Sequence, residues 1–304
     1  MIEREQAQIQ RGAVVSPGLV DQGLGALRTL GRFSKSKPLG AVGGAIVLVL
    51  VLVAIFAGQI TNLDPRDVFV DYVHTPPGAD FWLGTDHIGR DLFSRMVYGA
   101  RISLYVGLGS VLIGITIGFV VGVGSTYIGG KLDMVVQRFV DALMSLPGLI
   151  IALAIIAVLG SSLNNVIIAI VVGMLAPVIR TVRSQVLSLK ELDYVLAARA
   201  IGATSKRIVF RHIAPNCFAT YLILASYYLG FAIIIEASLS FLGVGAPPDV
   251  PSWGGILTQA TREHVKTAPW VGIFPGMTIF VVVLGFNLLG DALRDVFDPK
   301  LRGR

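Results

Sequence analysis

Charged side chains are scarce in this chain. Asp, Glu, Lys and Arg make up 14% of its 304 residues, against 54% hydrophobic residues; a soluble domain carries roughly 25%. The mean hydropathy of +0.75 likewise excludes an ordinary soluble enzyme or binding module. Cysteine is nearly absent: the single Cys217 rules out an internal disulfide and any cysteine metal cluster. His74, His87, His212 and His264 stand far apart, at no spacing that would place two on one metal. There is no glycine-rich phosphate loop ending in Lys-Ser or Lys-Thr, so the chain itself should not hydrolyse ATP. No serine–base pair or His/Glu cluster falls in the apolar segments. The expected set of catalytic residues is therefore empty, and no metal or cofactor is expected. The net charge of +6 fits the basic loops of a membrane protein and calls for no nucleic acid.

What the chain has instead is a series of apolar runs. About 20 residues at ~1.5 Å rise cross ~30 Å of hydrocarbon, and six runs approach that length. The fold class expected is an all-α polytopic membrane protein of six spans. Residues 1–40 are polar, with Leu24, Leu27, Leu30 and Phe33 near helical spacing among basic residues: either a helix lying on the membrane face or a basic tail. Residues 41–60 form the first span, with no small-residue cleavage motif after them, so it is retained. Residues 61–101 form a polar loop with a Pro76-Pro77-Gly78 turn. Its Asp86 and Asp91 are too few for a defined metal and suit loop packing.

The second span covers about 102–128 and carries Gly114, Gly118 and Gly122. Spacing of four makes a flat helix face for a close neighbour. Gly129-Gly130 turns the chain into a third span, about 138–159, with Asp141 in its first turn and a kink expected at Pro147-Gly148. The fourth span, about 166–182, contains Pro177 and ends at Arg180 and Arg183. The fifth, about 217–242, contains Glu236; a Gly/Pro-rich loop with Trp253 follows, then a sixth span near 270–289 and a tail from 292 to 304.

Lys and Arg set the expected orientation. With both termini in the cytoplasm, six fall before residue 41, two at Lys131 and Arg138, seven from Arg180 to Arg211 and four from Arg294 on; only six fall outside. That bias places both termini and the loop 189–216 in the cytoplasm.

That loop is the most informative stretch. It carries Lys190, Arg199, Lys206, Arg207 and Arg211 against Glu191 and Asp193, and reads as two short helices. Asp193 is a candidate N-cap for the first, Gly202 ends it as a C′ glycine, and Thr204 or Ser205 caps a second that ends before Pro215. Small Ala197 and Ala198 would let another protein's groove approach the backbone. This frame resembles the EAA loop of ABC importer permeases, although Leu196 stands where that family has Glu, His212 where Ile is usual and Ala214 where Leu is usual.

Further stretches resemble one branch of that family, the C-type permease subunit of dipeptide, oligopeptide and nickel importers. These are the residues from Leu83 to Asp91, the EASLSFLGVG stretch around Glu236, PSWGGIL around Trp253, and the tail from Gly290 to Arg302. The resemblance implies a type I ABC importer permease fold with a core over residues 102–291. It implies a bacterial or archaeal cytoplasmic membrane, a second permease subunit, two ATP-binding subunits, and a periplasmic or lipid-anchored binding protein. It further implies that Ala197, Ala198, Arg199, Gly202, Ala203 and Pro215 couple the permease to the ATPase, for import of peptides or, alternatively, nickel complexes or glutathione-like peptides. A rival class, an ion-coupled secondary transporter, would use intramembrane carboxylates, with Glu236 and Asp141 as candidates. It also expects paired broken helices in two sequence halves, and no such repeat is visible. Glu236 is costly facing lipid, which leaves two readings: packing near an outer gate, or lining the pathway.

Overall fold

The computed structural model describes residues 37–263 and 267–297. The expected N-terminal surface helix and the last residues of the tail lie outside them. Hydrocarbon offers no partner for a free peptide group, so apolar segments must close their hydrogen bonds internally. Accordingly, the apolar segments are helical, and the described residues contain no strand, only an isolated bridge between Thr85 and Asp91.

The helices are α1 (Pro38–Ile55), α2 (Ala57–Ile60), α3 (Leu92–Ile128), α4 (Gly130–Met144), α5 (Gly148–Leu159) and α6 (Leu163–Lys190). After them come α7 (Asp193–Ala200), α8 (Ser205–Ile208), α9 (Ala214–Phe241), α10 (Trp253–Glu263) and α11 (Trp270–Phe297). Five segments are long and apolar enough to cross a membrane, and α4 with α5 make a sixth if the bent pair counts as one span. The two ends of the described chain decide the parity. Lys37 at the start of α1 pairs with Asp295 near the end of α11 at 2.5 Å. The first span therefore begins on the face where the last one ends. An even number of crossings is required, so α4 and α5 together make one. We call the Lys37–Asp295 side the basal face and the opposite side the distal face.

Several boundaries differ from those expected. The first span stops at Ile55, and Arg101 closes it by donating from Nε to the Ala54 carbonyl at 2.6 Å and from Nη2 to Ile55 at 3.0 Å. The second span begins ten residues early, at Leu92. Asp91 caps it through the Ser94 N–H at 2.7 Å, and its polar first turns are buried against the distal loop. The third span is broken at Pro147, not merely kinked: α4 and α5 meet at 89°. Pro147 sits at φ −58°, ψ 133°, an extended geometry with no N–H to carry the α4 ladder onward. The fourth span does not end at Arg183. It runs on to Lys190, because α4 supplies carboxylate partners for its arginines. The second helix of the basal loop does not stop before Pro215. It passes through a π turn, Val209–Ile213, straight into α9, with the Ala214 N–H bonded to the Val209 carbonyl.

At the centre, α3 and α6 run parallel. A Cβ on Gly114, Gly118 or Gly122 would lie 2.5 Å from Met174 Sδ, 2.5 Å from Val178 Cγ1 and 2.9 Å from Val182 Cβ respectively. Matched steps of four on both helices keep that contact in register along two turns of each. A second glycine crossing joins α1 to α11, where a Cβ on Gly43 would meet the Gly285 carbonyl at 2.6 Å. On the distal side Trp253 is fully buried and donates its Nε1–H to the Met96 carbonyl at 3.0 Å. Gly99 makes the room, since a Cβ there would lie 2.5 Å from that same nitrogen.

Candidate functional site

On the basal face the chain leaves α6, turns at Leu192 and forms α7. The N-cap is Leu192, in extended conformation, without a side-chain bond; Asp193 is the first helical residue, not the cap. Its carboxylate still faces the positive end of the helix dipole. Val195 and Ala198 turn inward and are buried, packed in one apolar cluster with Ile208 and Ile213. This corrects the expected docking face, because Ala198 belongs to the chain's own core. Ala197, Arg199 and Gly202 point outward, and beside them Ile201 is 86% exposed.

Gly202 lies at φ +80°. Its N–H bonds to the Arg199 carbonyl and that of Ala203 bonds to the Ala198 carbonyl, both at 3.0 Å. These two bonds form a Schellman closure, which favours glycine at C′. Thr204 then accepts from the Arg207 N–H and caps α8. Pro215 has no N–H for the π turn it follows; next to it, the Asn216 amide donates to the His212 carbonyl at 2.6 Å. The basal element is thus closed by local bonds at each corner, and it joins α6 to α9 with little slack.

Two acidic residues of α4 bind α6. Arg183 contacts both oxygens of Asp133, at 2.8–3.1 Å, and Arg180 pairs with Asp141. The residues are about fifty and forty positions apart, so no local spacing in the sequence signals either pair. At the end of α3, Lys190 donates to the Thr126 and Tyr127 carbonyls at 3.2 and 3.4 Å.

Glu236 is 1% exposed. Its Oε1 accepts from Ser240 Oγ at 2.8 Å, and Ser240 Oγ in turn accepts the Ala246 N–H at 3.0 Å. The carboxylate therefore anchors the loop that folds back over the distal end of α9. Beneath that loop, a Cβ on Gly254 would run into the Ala237 backbone. Asp86 and Asp91 also organise the distal side: Asp86 pairs with Arg90 at 2.7 Å, and buried Arg95 reaches the Pro65 carbonyl at 3.3 Å. Among the described residues no group of three or more His, Cys, Asp or Glu is placed to hold a metal.

Residues 114–303 match the family described as binding-protein-dependent transport system inner membrane component. The chain is 44% identical over 301 residues to the glutathione transport system permease protein GsiD of Salmonella typhimurium, covering 99% of this chain and 98% of that one. It is 41% identical over 268 residues to the dipeptide transport system permease protein DppC of Alkalihalophilus pseudofirmus, covering 88% of each. To the GsiD protein of Pectobacterium atrosepticum it is 42% identical over 265 residues, covering 87% of this chain and 88% of the relative.

Proposed function

The chain belongs to the family of binding-protein-dependent transport system inner membrane components, and from that premise we propose how it works within an ATP-driven importer of peptides. It is a permease subunit with the type I fold, not an enzyme. Relatives of this length and identity are named for dipeptide and for glutathione transport, and both substrates are small peptides with free carboxylates. On this reading the chain lines half of a pathway completed by a second permease. A binding protein outside delivers the peptide, and two ATP-binding subunits dock on the basal face, in the cytoplasm of a bacterial cell. The surplus of Lys and Arg on the basal segments supports that orientation.

One observation carries the coupling role. The α7 element exposes Ile201, Ala197 and Gly202 at its tip, while Val195 and Ala198 root it in the core. An apolar tip on a basic loop, flanked by exposed Leu196 and Phe210, suits a partner's groove. Because α7 is closed at its C-terminal end by the Schellman bonds and rooted in the core by Val195 and Ala198, a push on it displaces α6 and α9 rather than being absorbed by the loop. Closure of the ATPase pair would then shift the permease between inward-open and outward-open states, to the extent that it favours one of them.

The test is reconstitution in liposomes with the partner permease, ATPases and binding protein. Expected are ATP-dependent uptake of a dipeptide or of glutathione, and ATP hydrolysis stimulated by the loaded binding protein. A complete complex that hydrolyses ATP but takes up neither peptide would overturn the substrate reading.

A further inference from the structure

Three features of the helices meet at one place. The first is the break between α4 and α5, where Gly148 opens α5. Pro147 uses its carbonyl for the Ile150 and Ile151 N–H groups at 2.9 and 3.2 Å, and among the described residues the Gly148 N–H finds no backbone acceptor. The second is Pro177 inside α6, which supplies no N–H to the Gly173 carbonyl. The third is the Tyr227-Tyr228 pair of α9, with ring centroids 5.3 Å apart.

A Cβ on Gly173 would lie 3.7 Å from the Gly148 carbonyl oxygen, so the turn of α6 that precedes Pro177 lies against the helix break. Between them lies a cavity of about 300 Å³ lined by Gly148, Gly173, Pro177, Tyr227, Tyr228 and Phe231, among others. That is the lower end of the range for small-molecule sites, roughly 300–1,000 Å³.

The cavity is membrane-embedded. Gly173 to Pro177 lie about 15–21 Å along α6 from its distal end at ~1.5 Å per residue, near the middle of ~30 Å of hydrocarbon. Tyr228 is 7% exposed, and among the described residues its hydroxyl has no hydrogen-bond partner. Tyr228 and half-buried Gly148 both line the cavity, so the hydroxyl and the N–H at the helix start are polar groups open to it in otherwise apolar surroundings, where a ligand could complete them. The lining contains no charged side chain, so it offers nothing to hold a bare cation. It offers main-chain donors, a free carbonyl and phenol hydroxyls, which suit the polar backbone of a peptide independently of its side chains.

We propose that this cavity is a relay site for the main chain of the transported peptide. The Gly148 N–H, at the positive end of the α5 dipole, and the Tyr228 hydroxyl address its terminal carboxylate, while the Gly173 carbonyl faces its donors. Broken helices lining an uncharged cavity recognise zwitterions by backbone dipoles in this way. The inference rests on the peptide reading and adds the place and the chemical group recognised.

The test uses the full transporter in liposomes and compares uptake of one dipeptide with that of its C-terminal amide, each on saturating binding protein. Gly148→Pro deletes a single N–H at a position where proline is well tolerated, and Pro147 already holds the extended geometry a following proline requires. Gly148→Ala adds a methyl into open space and keeps the N–H. Tyr228→Phe removes only the hydroxyl. The acid-to-amide uptake ratio is expected to fall about tenfold in Gly148→Pro and in Tyr228→Phe, the loss of one hydrogen bond to a charged group, and to hold in Gly148→Ala. Equal loss for acid and amide, an unchanged ratio in both variants, or a matching fall in Gly148→Ala overturns the relay site. A wild-type transporter that moves no peptide overturns the substrate reading instead, and the relay site with it.

Discussion

The α3–α6 seam makes a quantitative prediction about Gly118. An alanine Cβ there would lie 2.5 Å from Val178 Cγ1, against the ~3.5–4.0 Å that carbon atoms need. Val178 is fully buried and β-branched, so its single favoured helical rotamer cannot swing aside. The helices must part by about 1 Å, which loosens the contacts at Gly114 and Gly122 as well. Overpacking of this kind costs about 1–3 kcal/mol, and the better helix propensity of alanine returns about 0.5–1 kcal/mol. Gly118→Ala should therefore destabilise by about 1–2 kcal/mol. Gly114→Ala should cost less, because its obstacle is the flexible end of Met174. Val178→Ala removes the obstacle at the price of a small cavity, about 1–2 kcal/mol alone. The double variant should then be more stable than the two single effects predict, with a coupling of about 1–2 kcal/mol. Unfolding in detergent, followed by the fluorescence of Trp82, Trp253 and Trp270, gives all four values. Additive effects, or a larger loss at Gly114 than at Gly118, would refute the packing argument.

Much of this architecture is legible in the sequence because it is written in local spacing. Apolar runs mark the spans, steps of four mark the seam on α3, and Gly202 and Thr204 mark the corners of the basal loop. What is not legible depends on partners far away in the chain. Residues 92–101 read as loop because hydropathy counts Arg95 and Arg101 as polar. Burial of Arg95 beside Asp86 and the bonds from Arg101 to the end of α1 are invisible to it. Asp141 reads as a possible ion site until Arg180 is found beside it. The Gly43–Gly285 crossing joins residues 242 positions apart. Small residues at 197 and 198 announce a close approach but not its direction; the inward turn of Ala198 follows from where Ile208 and Ile213 sit. For Glu236, the cost of burying a carboxylate excludes lipid, yet only the structure supplies Ser240 as its partner.

Four further outcomes follow. Ile201→Asp should leave stability within about 0.5 kcal/mol, since the side chain is exposed, but should lower co-purification with the ATPase subunits at least tenfold; normal co-purification and uptake would contradict the docking tip. Asp133→Ala leaves Arg183 half-buried without its bidentate partner and should cost about 1 kcal/mol; exchanging the two residues, Asp133→Arg with Arg183→Asp, should recover most of it, and no recovery would deny the pair a role. Glu236→Gln keeps an acceptor for Ser240 and should preserve uptake of neutral and cationic peptides alike, whereas a selective loss of cationic peptides would return Glu236 to the pathway. The last concerns which parts move. On its α3 side α6 is seated in register along the glycine stripe, so α3 and α6 should travel as one body. On its other side α6 lacks a ladder bond at Pro177 and meets a broken helix, where packing is interrupted and relative motion costs least. A cysteine pair at Gly114 and Val171 would bridge the seam, since a Cβ on Gly114 lies 3.5 Å from the Val171 Cα. A pair at Gly148 and Gly173 would bridge the break, where the corresponding separation is 4.0 Å. With one Cα–Cβ bond added, neither Cα–Cα separation can exceed about 5.5 Å, inside the ~7 Å limit for a disulfide. Oxidation should leave uptake intact for the first pair and stop it reversibly for the second, with reduction restoring it. Arrest by the seam bridge together with free transport through the break bridge would place the moving boundary on the α3 side of α6 and refute the argument.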